Sequence, residues 1–268
     1  MQGEPLSRAS RFAVLIDADN ADASLVEPLL KEIANYGTAN VKRIYGDWTR
    51  PHLNSWKDKL LKFAIQPIQQ FNYTSGKNST DSALIIDAMD LLYTKNLDGF
   101  CIVSSDSDFT KLACRIRESG LRVYGFGEKK TPESFIKACD QFIYIEVLKN
   151  VEKEVQSLSE TVSVKEKGAN KNASVKENLD NLNFNLTQNK KLLTLIKNAY
   201  TAIAGDDGWV NLGQLGGQIS KLSPSFDSRN YGYKKLGELI QAINMFEIKD
   251  TLHKNARTVK ALYIKLKI

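Results

Sequence analysis

Four aspartates and an asparagine carry the chemical content of this sequence: Asp17 and Asn20 in VLIDADN, Asp81 in NSTDS, and Asp106 and Asp108 in VSSDSDF. Carboxylates gathered within a few Å raise one another's pKa, so such a group is costly without a cation. Hard oxygen donors in a small group suit Mg²⁺ or Mn²⁺, which keep several waters and accept phosphate oxygens. A metal so held activates water and stabilises charge developing on a phosphodiester. Asn20, three residues after Asp17, can orient a water or a phosphate. The plain alternative for each acid is a helix cap or a solvated turn; Ser107 or Asp108 can cap the helix that follows, and Asp19 and Asp47 fit the same description. Asp87 lies six residues past Asp81, about 120° around a helix, and falls outside the cluster.

These side chains need elements that deliver them to one place. Phe12–Ile16 and Phe100–Val103 are short apolar runs that predict buried strands, and each runs straight into acids. Further strands are expected at Val41–Tyr45, Ile65–Phe71, Leu121–Tyr124 and Phe142–Val147, with Pro67 favouring an edge position for the third. Helical spacing covers Leu25–Tyr36, where Pro28 makes the first turn ambiguous, and Leu53–Phe63. Leu84, Ile85, Ala88, Leu91 and Leu92 mark another helix face, as do Phe109, Leu112, Ala113 and Ile116, and Thr131-Pro132 opens a last one. Strands alternating with helices over short connections predict an α/β fold, a mainly parallel Rossmann-like sheet flanked by helices. Right-handed crossovers bring the carboxyl ends of such strands to one edge, where open α/β sheets bind ligands. Asp17 and Asp106 share that edge, and Asp81 enters its helix from the same side. Lys77, Lys129 and Lys130 lie on loops that can reach the rim; they contact a nucleic-acid backbone or are simply solvated.

Composition narrows the chemistry. His52 and His253 are far apart and no CxxC occurs, which argues against a His/Cys zinc site or a histidine-based triad. Cys101, Cys114 and Cys139 sit in apolar patterns as small buried hydrophobes, and an odd count without framework spacing points to a reducing compartment. With no apolar leader at MQGEPLSRASR and no run of membrane-spanning length, the expectation is a cytoplasmic protein without a membrane partner. Charge divides the chain. Residues 1–148 hold 18 Lys+Arg against 19 Asp+Glu, residues 149–187 balance at 6 each, and residues 188–268 hold 13 against 6. The middle segment, rich in Lys, Glu, Ser and Asn, is expected to be a flexible linker. Beyond it, a helix at Leu192–Tyr200, a short strand at Trp209-Val210, helices at Leu212–Leu222 and Tyr233–Ile243, and a hairpin from Phe246–Ile248 and Ala261–Leu266 suggest a small winged-helix α+β domain. Its net +7 suggests an anionic partner. Lys221, Arg229, Lys234 and Lys235 flank the helix starts with Tyr231 and Tyr233 between them, a mixture suited to phosphate contact and base stacking, although the tyrosines can instead be partly core. Lys254, Arg257 and Lys260 on the hairpin extend that surface.

With those residues in place, the chain resembles the NYN domain family, a PIN-like nuclease group, and in particular its bacterial branch fused to an OST-HTH (LOTUS) module. The matching pieces are VLIDADN (14–20), YGDW (45–48), GKNSTDSALIIDAMD (76–90), VSSDSDF (103–109) and GFGEKKTPESF (125–135), in family order. The C-terminal similarity rests on GWVNLGQLGGQISKLSPSFDSRNYGYKKLGELI (208–240). The resemblance implies a PIN-like nuclease domain over 1–148, a linker over 149–187 and an RNA-binding domain over 188–268. It further implies a metal-dependent ribonuclease using Mg²⁺ or Mn²⁺, with Asp17, Asn20, Asp81, Asp106 and Asp108 as its acidic site and RNA as partner. A non-catalytic RNA-binding adaptor is the alternative. A phosphatase of the haloacid dehalogenase type fits less well, because Ala21 stands where its motif wants Thr or Val. A homo-oligomer or a protein partner stays open.

Overall fold

The computed structural model describes residues 8–71, 79–94, 96–149, 186, 189–252 and 260–267. Lys77, Lys254, Arg257 and most of the expected linker lie outside the described residues. The chain divides into two compact units, residues 1–158 and 159–268.

In the first unit, β1 (Arg11–Asp17), β2 (Thr38–Gly46), β3 (Gln66–Gln69), β4 (Gly99–Val103), β5 (Arg122–Gly127) and β6 (Gln141–Tyr144) form one sheet. Its order is β3-β2-β1-β4-β5-β6 and every pairing is parallel. Helices α1 (Val26–Ala34), α2 (Lys57–Phe63), α3 (Ser79–Thr94), α4 (Thr110–Glu118) and α5 (Glu133–Ala138) connect the strands. The two-residue period of β1 feeds two cores. Ala13 and Leu15 join Leu84, Ala88, Phe109 and Leu112 on one face, while Phe12, Val14 and Ile16 join Val26, Leu29, Ile33 and Trp56 on the other. The chain starts in the middle of the sheet, builds outward to β3, and returns to lay β4 against the free side of β1. That reversal is where α/β sheets open a crevice at the strands' carboxyl ends.

Pro67 does sit on an edge strand, since among the described residues β3 pairs only with β2. Pro28 is the third residue of α1, where backbone N–H groups have no partner within the helix anyway. The expected helix Leu53–Phe63 is a 3-10 turn at Pro51–Trp56 followed by α2. The expected strand Phe142–Val147 ends at Tyr144; residues 145–149 are helical, and the buried Ile145 and Leu148 fall three apart, as one helix face requires. Cys101 and Cys139 are buried free thiols whose pKa burial pushes up.

The second unit contains α6 (Lys190–Thr201), β7 (Val210–Asn211), α7 (Leu212–Leu222), α8 (Leu236–Ile243), β8 (Phe246–Leu252) and β9 (Lys260–Leu266). Its antiparallel sheet has the order β7-β9-β8. Leu192, Ile196, Leu215, Ile219, Leu239, Ile240 and Ile264 fill its core. The helix expected from Tyr233 starts at Leu236, because the Glu238 carboxylate accepts the backbone N–H groups of Lys234 and Lys235 and fixes the entry there. Among the described residues, no helix is long and apolar enough to cross a membrane.

Candidate metal centre

The site is built from neighbouring strand ends. Ile16 of β1 pairs with Val103 of β4, so Asp17 and Ser104 leave the sheet side by side. Asp17 is 1% exposed. Its Oδ2 accepts from Asn20 Nδ2 at 2.7 Å and from Ser104 Oγ at 2.9 Å, and its Oδ1 accepts from the Asp19 backbone N–H at 3.1 Å. Burial pushes the Asp17 carboxyl above the usual range, and these hydrogen bonds pull it part of the way back.

The turn after β4 continues this chain of contacts. Ser104 Oγ accepts from the Asp106 N–H at 3.1 Å, and Asp106 Oδ1 accepts from the Asp108 N–H at 2.9 Å. Asp106 is therefore the cap of the 3-10 turn Ser107–Phe109 that leads into α4, a position the sequence pattern assigns to Ser107 or Asp108. Ser105 Oγ accepts from the Glu128 N–H at 2.9 Å and ties the turn to the loop after β5. Gly127 permits that approach: a Cβ there would stand 2.6 Å from the Ser104 carbonyl oxygen.

Asp81 arrives in the first turn of α3. Asp81, Asp106 and Asp108 each offer a carboxylate oxygen, and these atoms lie within 4.8 Å of one another. Burial, and after it the charges of Asp17, Asp106, Asp108 and Asp19, push the Asp81 pKa up to about 6. Asp17 is not one of the three converging groups; its charge acts on Asp81, and through Ser104 it is linked to the Asp106 backbone. Three hard, mutually repelling oxygen donors fit a small divalent cation such as Mg²⁺ or Mn²⁺. Asp87 turns elsewhere, accepting from the Tyr45 hydroxyl and pairing with Arg43, both on β2, and so pins α3 to the sheet.

Two contributors escape a reading of the sequence. Ser104 is a polar residue in a serine-rich turn until β4 is seen beside β1; its position directly after a buried strand is the available signal. His52 Nε2 lies 3.1 Å from Asp19 Oδ1, a contact across 33 residues that no spacing announces. Asp47 is buried and accepts from Thr49 and Gln69, so it braces the exit of β2. Lys129 and Lys130 sit on the loop after β5, with Lys130 Nζ 2.7 Å from Glu128 in an exposed pair of small energetic weight.

In the second unit, Lys221 lies in the last turn of α7, and Lys234 and Lys235 precede α8. Arg229 is paired with Asp227, Nη2 to Oδ2 at 2.6 Å. Tyr231 packs beside Phe226 with ring centroids 6.1 Å apart, and both Tyr231 and Tyr233 lie against the core. Burial pushes the Tyr233 phenol up.

Comparison with known proteins matches residues 11–146 to the NYN domain and residues 187–257 to the OST-HTH/LOTUS domain. No curated protein matches the chain. Among solved structures, a protein of unknown function from Vibrio parahaemolyticus is 18% identical, covering 53% of this chain and 96% of its own, with a TM-score of 0.45. An uncharacterized protein from Nitrosomonas europaea is 38% identical, covering 28% of this chain and 71% of its own, with a TM-score of 0.26.

Proposed function

The chain belongs to the NYN domain family, and on that premise we propose that it is a metal-dependent endoribonuclease whose basic C-terminal module captures RNA. The observation that carries the reading is the convergence of Asp81, Asp106 and Asp108 at the carboxyl edge of the sheet. Those three residues, with the charge of Asp17 beside them, would hold Mg²⁺ or Mn²⁺. The ion would supply an activated water and charge stabilisation at the scissile phosphate. Asp81 would bind such a cation in its ionised form, and the ion's charge would offset the repulsion from Asp17, Asp106 and Asp108. Asp17 keeps the Asn20 amide and the Ser104 hydroxyl in fixed orientations, so Asn20 is placed to position a water or a phosphate oxygen. The C-terminal module contributes the net +7 of residues 188–268, which attracts a polyanion, and covalent linkage keeps the captured strand at high local concentration.

The test is cleavage of single-stranded and structured RNA by the purified protein with Mn²⁺ or Mg²⁺. Cleavage is expected to vanish with EDTA and to fall by at least about a hundredfold in Asp106→Asn. RNA binding without metal-stimulated cleavage identifies the adaptor instead, and cleavage that survives both treatments overturns the metal site.

A further inference from the structure

The C-terminal sheet has one face turned to the core and, among the described residues of this unit, one left open, with Glu247 and Lys249 exposed. Val210 and Ile264 are partners across β7 and β9, and both are buried. The two-residue period therefore sends Asn211, Tyr263 and Lys265 to the other face, where Lys249 stands opposite Tyr263 and Glu247 opposite Lys265. Trp209, half-buried and one residue before β7, belongs to this face. Its ring centroid lies 5.8 Å from Lys249 Nζ and 6.0 Å from Lys265 Nζ.

From this arrangement we propose that the open face of the C-terminal sheet binds a single-stranded polynucleotide, with Trp209 as the platform on which an unpaired base stacks and Lys249 and Lys265 as the flanking phosphate contacts. The proposal deepens the RNA-capture reading and rests on it. Three observations carry it. Tyr231 and Tyr233 are packed against the core of the unit, whereas Trp209 and Tyr263 stand outside that cluster among the described residues. The platform is also held in place. The Tyr200 hydroxyl donates to the Gly208 carbonyl at 2.7 Å and accepts from the Leu266 N–H at 3.3 Å, clamping the segment before Trp209 to β9. Gly208 has φ +70°, and a Cβ there would come within 3.2 Å of Lys265 Cε, so the lysine stem lies across glycine backbone to reach the ring. Finally, two ammonium groups lie 5.8 and 6.0 Å from one ring centroid, so a base stacked on the ring has cations beside it to meet its flanking phosphates.

The ligand class follows from the mixture of charges. Glu247 faces Lys265 in register, and Asp207 accepts from the Trp209 N–H, so this face is less basic than the module as a whole. Phosphate attraction alone does not favour such a surface, but base stacking does, and a duplex keeps its bases hidden.

The test uses the full-length protein in EDTA, so that strands survive, with fluorescently labelled oligouridylate, oligothymidylate and an RNA duplex of equal length. Single strands are expected to bind at least about tenfold more tightly than the duplex. Trp209→Ala weakens single-strand binding by at least about fivefold, and Trp209→Phe restores most of it. The double variant Lys249→Gln, Lys265→Gln lowers the salt slope of single-strand binding by about 1.4, and it decides the matter if Trp209→Ala loses its helical circular dichroism. Equal binding of both single strands assigns the site to unpaired bases in general, and preference for oligouridylate assigns it to RNA. Wild-type affinity in Trp209→Ala, or preference for the duplex, overturns this inference and leaves RNA capture standing. No binding of any polynucleotide by the wild type overturns both.

Discussion

Asp81 carries a charge that the fold alone does not want. Its folded pKa of about 6 lies above the ordinary aspartate value of 3.8, so the folded chain holds this proton more tightly than the unfolded chain does. The associated stability is fully present below pH 3.8 and is lost as pH rises through about 6. Replacing the acid by a neutral isostere removes that loss. In metal-free protein at pH 7, Asp81→Asn is expected to gain on the order of 1 kcal/mol once solvent screening at a half-buried site is allowed for, with the gain disappearing below pH 4. Thermal melts of both proteins in EDTA across that range check it; an unchanged or lower Tm at pH 7 contradicts it. Mn²⁺ affinity of the wild type should fall correspondingly as pH drops through about 6, because the ligand must first lose its proton. Asp17, Asp106 and Asp108 were legible in the sequence because they end or follow buried strands, and Asp81 because it opens a strongly patterned helix. Their division of labour was not: whether Asp106 or Asp108 caps the turn depends on a Ser104 hydroxyl placed by tertiary pairing.

Helix α3 delivers Asp81, and its orientation is set from its middle rather than its end. Asp87 is gripped by Tyr45 and Arg43 of β2, so rotation of the helix about its axis is blocked from the sheet. Tyr45→Phe removes one of the two grips while keeping the ring, which is fully buried. The expected cost is about 1 kcal/mol of stability, together with a fall in kcat at nearly constant KM, as befits a residue that positions a ligand without touching RNA. Urea unfolding and steady-state cleavage check the pair; a rise in KM with kcat unchanged contradicts it. Element type was readable here from periodicity, and Asp87 could be assigned away from the cluster by its angle alone. Element ends were less readable. The 3-10 turns before α2 and α4 share the apolar spacing of the helices they lead into, and the run Phe142–Val147 is equally apolar as strand or as helix.

At the scale of the whole molecule, charge divides the two parts to which catalysis and capture are proposed to belong, with −1 over residues 1–148 and +7 over residues 188–268. Salt should therefore act on capture and spare the chemistry: raising ionic strength is expected to increase KM for RNA with a steep logarithmic slope while leaving kcat within about twofold. Equal loss in kcat contradicts that division. Alternating elements made a parallel sheet legible, but the order β3-β2-β1-β4-β5-β6 required knowing that β4 returns to β1. That return has a consequence for how the protein is made. The hydrogen bond from Ser104 to Asp17 spans 87 residues of sequence, and Asp81 lies between them. A chain still emerging from the ribosome holds no complete acid cluster until the turn after β4 has cleared the exit tunnel. Until residue 108 of 268 has been made and released, the proposed nuclease has no assembled site with which to cut the message that encodes it.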